Sequence, residues 1–160
     1  LSPLSYIQFF IAFIVGAVVR GLFVGLSIYL LAIIFIALPI KHPWIVFWFA
    51  LFGGGLLGAF GIIAGIWADR FDQMAAFGNF VIMPLSFLSG VFYSIHSLPS
   101  IWQSISQLNP FFYMIDGFRY GFFGQSDVSP YLSLLIVFLF FVTLSFAAIQ
   151  MLKSGFKLRT

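Results

Sequence analysis

Between Tyr131 and Met151 the chain runs without a single charged side chain. A run of about twenty apolar residues is the length of an α-helix crossing a hydrocarbon core about 30 Å thick. Backbone polar groups in lipid must be satisfied within the protein, and a helix does this inside each segment. Barrel strands instead alternate apolar and polar residues in segments of about ten; no such alternation is present here. Composition extends the reading to the whole chain. The 160 residues are 62% hydrophobic and 7% charged, with a mean hydropathy of +1.15, against about 25% charged residues in an ordinary soluble domain. A chain this short cannot fold so much apolar surface away from water. The expected fold is therefore all-α: a polytopic membrane helical bundle forming a single transmembrane domain over residues 1–160.

Four crossings are expected, at about 7–38, 44–68, 74–95 and 131–151. The first stretch is broken only by Gln8 and Arg20 and is too long for one perpendicular span. Either it tilts, or Ile7–Val19 lies near the interface and Gly21–Leu38 crosses. Pro39, Lys41 and Pro43 mark a loop after it. Trp44 and Trp67 stand near the ends of the second span, where indoles favour the headgroup level. The polar connector Asp69-Arg70-Phe71-Asp72-Gln73 leads to a third span containing Asn79 and Pro84, expected to be kinked near the proline. Residues 96–129 are too apolar for an ordinary loop and too interrupted for a span. Two short helices fit there. Ser100–Leu108 places Ile101, Ile105 and Leu108 on one face. Asn109 caps the next helix, with Pro110 at its first position. That helix carries Asp116 and Arg119 three residues apart, on one face. A re-entrant or interfacial hairpin is the natural form.

Four crossings put both ends of the chain on one side. Lys153, Lys157 and Arg159 crowd the last eight positions and, with Arg70, place that side in the cytoplasm by the positive-inside rule. Only Lys41 and Arg119 fall outside, and Arg20 lies within a span, where a cation costs about 2.5–3.5 kcal/mol on insertion scales. The short basic tail suits an anionic membrane surface rather than nucleic acid. The opening residues lack a basic stretch and a cleavage site, so no signal peptide is expected. With no cysteine there is no disulfide or thiolate–metal site. His42 and His96 lack a second ligand at metal spacing, so no catalytic or metal residues are assigned. Gly54-x-x-x-Gly58 and Gly61-x-x-x-Gly65 in the second span permit close helix packing, within the chain or across a dimer seam. The phosphate-cradling pattern GxxxxGK[ST] is absent, so ATP, if it drives the protein, is hydrolysed by a partner.

The segment Ile82–Arg119 carries Ser89-Gly90, Leu98-Pro99, Asn109-Pro110, Tyr113 and the run Asp116-Gly117-Phe118-Arg119. In this order and spacing it resembles the signature region of the ABC type-2 exporter permeases, which export polysaccharides, lipid-linked glycans and drugs. The opening Leu1-Ser2-Pro3-Leu4-Ser5 is similar to that family's segment just after the cytoplasmic coupling helix. The resemblance implies that this chain is the C-terminal portion of a permease in a cell inner membrane, holding its third to sixth spans. It implies a dimer of permeases with two ATPase subunits on the cytoplasmic side, which hold ATP and magnesium. It makes Ser89, Gly90, Leu98, Pro99, Asn109, Pro110, Tyr113, Asp116 and Arg119 an outer-gate region. An integral membrane enzyme acting on lipid-linked substrates is the alternative, but such enzymes gather several acidic, basic or histidine side chains at one interface. This chain has four acids in all.

Overall fold

The computed structural model describes residues 5–92 and 95–155. The tail cations Lys157 and Arg159, and the opening residues 1–4, lie outside the described residues. Helix α1, Tyr6–Phe35, is unbroken through Gln8 and Arg20. Its first turn is closed by a capping box: Ser5 Oγ accepts from the Ile7 N–H at 3.4 Å, and the Ser5 N–H donates to Gln8 Oε1 at 3.0 Å, which satisfies donors that a helix end leaves free. At 1.5 Å per residue, α1 is roughly 45 Å long. It therefore exceeds a perpendicular span, and a tilt or a projecting end must absorb the excess. The expected alternative of a break after Val19 is not what the chain adopts.

Helix α2, Pro43–Trp67, opens on a proline whose missing N–H costs nothing at that position. Helix α7, Pro130–Ser154, does the same and closes on Gly155 in the left-handed region, φ 62°. These three helices are long and apolar enough to cross a membrane; no other described helix is. The expected third span differs from its sequence reading. Residues 71–87 form a helical stretch in three pieces: α3 (Phe71–Phe77), a π-helical turn (Gly78–Ile82) and α4 (Met83–Phe87). The cause is Pro84. It has no N–H to return to the preceding turn, and the helix widens just before it, with the Met83 N–H bonding the Gly78 carbonyl. The stretch then stops at Phe87 rather than near residue 95, because Gly90 turns the chain at φ 79°. It is roughly 25 Å long, short of a comfortable crossing.

After a 3-10 turn at Ile95–Ser97 come α5, Ser100–Gln107, and α6, Pro110–Phe123. Helix α2 is the hub and packs against α1, α6 and α7. It runs parallel to α7: Phe52 meets Phe138 at 5.0 Å between ring centroids, Gly55 faces Phe141, and Ile62 shares a cluster with Ala148. Helix α1 runs the other way, with Phe10 in that same cluster and Tyr29 beside Phe122 at the opposite end. The larger core, built on Phe49, Leu56, Phe111, Phe112, Met114 and Val137, lies where α6 inserts against α2 and α7. Most side chains of α1 and α7 point outward into what the composition requires to be lipid.

Candidate functional site: a helical hairpin tied down at both ends

Helix α6 lies antiparallel along α2. Gly121 faces Val46, Gly117 faces Phe49, Met114 faces Gly53, and the Phe111 ring sits 6.3 Å from that of Phe60. The helix thus enters from the end of the bundle where α2 begins. Its N-terminus reaches the level of Phe60, roughly 25 Å along α2. Two notches make the approach possible. A Cβ on Gly117 would collide with the Phe49 ring, and one on Gly121 with Val46 Cγ2. The spacing Gly117-x-x-x-Gly121 is the small-residue pattern of close helix pairs. The sequence reading of residues 96–129 did not single out this pattern.

At the deep end, Asn109 is 3% exposed and caps α6, Oδ1 accepting from the Phe111 N–H at 3.0 Å. Its Nδ2 donates to the Leu85 carbonyl at 2.6 Å. That carbonyl is available because the Ser89 N–H turns to Ser86 instead. One amide therefore satisfies a donor of α6 and an acceptor at the frayed end of α4. Pro110, beside it, is buried. Tyr113 Oη donates to the Gln107 carbonyl at 2.8 Å, joining α6 to α5. Ser89 is buried and bonds the Ser86 carbonyl through its hydroxyl. The Leu98 carbonyl accepts from Gln103 Nε2 at 2.8 Å, and Pro99 precedes α5 in an extended conformation. The Ile101, Ile105 and Leu108 face of α5 is exposed, directed away from the chain's own core.

At the other end of α6 is the charged cluster. Asp116 is 2% exposed. Its Oδ1 accepts from Arg119 Nη2 and from the Asp127 N–H, both at 2.7 Å, and Oδ2 accepts from the Val128 N–H at 3.1 Å. Arg119 also reaches Asp127 Oδ2 at 2.6 Å. One carboxylate on α6 thus gathers the loop that leads into α7, and one guanidinium spans both acids. Charge-assisted bonds of this kind are about twice as strong as neutral ones. The Asp116–Arg119 pair is visible in sequence as a three-residue spacing. Asp127 is not, because it arrives across a turn made by Gly124 at φ 72°. The loop before α2 docks here too. The His42 and Lys41 N–H groups donate to the Gly121 and Phe122 carbonyls at 2.9 and 3.3 Å, and the His42 ring stacks on Tyr120 at 4.7 Å.

The remaining glycines divide. A Cβ on Gly54 or Gly58 would meet Val18, or Ala17 and Ile14, so both face α1. A Cβ on Gly61 would come within 3.8 Å of Phe13 alone, and Gly65 faces open space. Among the described residues no three His, Cys, Asp or Glu side chains converge as a metal site would need.

The family model described as ABC-2 type transporter matches residues 1–123. The chain belongs to the ABC-2 type transporter family. Among its relatives is the inner membrane transport permease YadH of Escherichia coli K12, 36% identical over 146 residues, which take in 91% of this chain and 57% of that permease. The capsule polysaccharide export inner-membrane protein BexB of Haemophilus influenzae is 31% identical over 112 residues, 61% of this chain and 40% of that protein. The chain therefore spans a little over half the length of the YadH permease. No solved structure matches it. As an ABC-2 family member with three apolar membrane-length helices, it is a multi-pass membrane protein.

Proposed function

We propose that the chain is part of the membrane-spanning subunit of an ATP-driven exporter, C-terminal in the full permease. The observation that carries this reading is the re-entrant hairpin, α5 and α6, held at depth by Asn109 and at its mouth by Asp116, Arg119 and Asp127. Its buried bonds give irregular backbone the internal cover that such backbone needs at membrane depth. With a second copy the subunit forms the path. A separate ATPase on the cytoplasmic side holds ATP and magnesium. In this reading the stretch 71–87, with the residues up to the turn at Gly90, serves as a fourth crossing. The chain's ends then share the cytoplasmic side. The substrate class is a polysaccharide, a lipid-linked glycan or a drug-like amphiphile. The name of BexB favours the first, and the exposed aromatic side chains suit all three.

The test is reconstitution of the complete permease with its ATPase in proteoliposomes, measuring ATP turnover against a panel of such substrates. Stimulation by one class is the expected result; turnover indifferent to all of them, with no transport, contradicts the reading. A second expectation concerns the mouth. Arg119→Ala should lower export by roughly tenfold, the effect of about 1.4 kcal/mol, at unchanged membrane abundance. Unaltered export in that variant excludes a gating role for Arg119.

A further inference from the structure

Arg20 stands in the middle of α1, roughly 20 Å from either end. It is exposed, and it makes no ion pair or hydrogen bond among the described residues. A side chain near a helix end can snorkel to the headgroups; one at this depth cannot, and an uncompensated cation in lipid is costly. Around it α1 and α2 form an open groove of about 830 Å³, with Gly16, Gly21, Val24, Leu57 and Gly61 among its walls. A Cβ on Gly16 or Gly21 would meet nothing within 4 Å, so these glycines present bare backbone to whatever lies alongside. Small residues and a desolvated polar group together are what a docked transmembrane helix uses.

We infer that this groove seats a membrane-spanning helix that brings a carboxylate to Arg20, and that the helix belongs to the same polypeptide, outside these 160 residues. The inference rests on the reading of the chain as part of a longer permease, which the 57% coverage of YadH supports. These 160 residues, in a second copy, cannot supply the partner. Copies inserted the same way hold each residue at the same depth, and all four acids of this chain lie elsewhere. Asp69 and Asp72 follow the far end of α2. Asp116 and Asp127 are joined to Arg119 at the other end. A lipid phosphate remains at the headgroup level and does not reach mid-membrane.

The test uses the full permease in its membrane with a benzophenone amino acid in place of Val24, an exposed position on the groove. After irradiation, adducts are mapped by mass spectrometry. The expected result is a crosslink within one polypeptide, to a helix outside this segment that carries Asp or Glu within a turn of the adduct. Replacing that acid with alanine should lower the amount of folded permease as much as Arg20→Ala does, and the two changes together should cost little more than either alone. A crosslinked dimer, an adduct to a different protein, or an adduct to lipid alone overturns the inference. Neither ATP nor substrate enters the experiment, so a failure of export leaves this result standing, and a lipid adduct in an exporting permease removes the docking without touching the export reading.

Discussion

Asp116→Ala should be the most damaging single change to the hairpin, lowering stability by about 2–3 kcal/mol, below the full cost of stranding a buried charge because Arg119 is part-exposed and keeps a second acid. The alanine removes the acceptor of three bonds at once. The Asp127 and Val128 N–H groups lose their partner, and Arg119 keeps Asp127 alone. A buried donor without an acceptor carries its full desolvation penalty. Because these bonds fix the loop between α6 and α7, the loss falls on the seat of the hairpin. Asp116→Asn keeps the shape but sets an NH2 against one of the donors, so an intermediate loss is expected. Thermal unfolding of the purified protein in detergent reads both, with a drop of roughly 10 °C expected for alanine. An unchanged melting temperature would mean that the cluster is ornamental. The same change made at Asp72, exposed on α3, should leave melting within error.

Gly117→Leu should separate α6 from α2. Phe49 is fully buried and its ring fills the space that a Cβ at Gly117 would need. Overpacking by one methyl costs about 1–3 kcal/mol where neighbours can shift. Here the neighbour is a ring held in the core, so Gly117→Ala should fall at the upper end and leucine beyond it. Protease sensitivity of the segment between Gly124 and Ser129, measured in detergent, reports the detachment. Gly65→Ala, with open space around the added carbon, should be neutral or slightly favourable, since alanine leaves the unfolded backbone fewer conformations to lose on folding than glycine does. Combining Gly117→Ala with Phe49→Leu should cost less than the sum of the two, because the smaller side chain relieves the clash. Strict additivity would contradict the packing described.

What could be read from the sequence follows from range. Helices α1, α2 and α7 announce themselves through uninterrupted apolar runs, and the start of α6 through the adjacent pair Asn109-Pro110, each a local signal. The Asp116–Arg119 pair is local too, set by helical periodicity. The contributions of Asp127 and of Phe49 to the same site are not local. One depends on a left-handed turn at Gly124, the other on which face of α2 meets α6. Neither is written in spacing alone, although Gly117 and Gly121 carried a usable signal four residues apart. The third stretch was legible in part, as a helix disturbed near Pro84 but not in where it ends. Its composition is apolar enough, but Pro84 and Gly90 set where the helix widens and stops, and hydropathy does not see backbone donors. The capping box of Ser5 and Gln8 was hidden because Gln8 looked like an interruption of an apolar run rather than its opening bond.

These 160 residues hold no cysteine, so single cysteines placed in them report sidedness once any cysteine elsewhere in the full permease is replaced by serine. Gln125→Cys, on the exposed loop between α6 and α7, and Ser154→Cys, at the exposed end of α7, should be compared in intact spheroplasts with a membrane-impermeant maleimide. Labelling at Gln125 from outside, with Ser154 labelled only after permeabilisation, is the pattern a bundle with an outward-opening hairpin gives. Labelling of Ser154 from outside, or of both positions from the same side, would contradict a last helix that crosses the membrane and a hairpin that folds into it from the outer face.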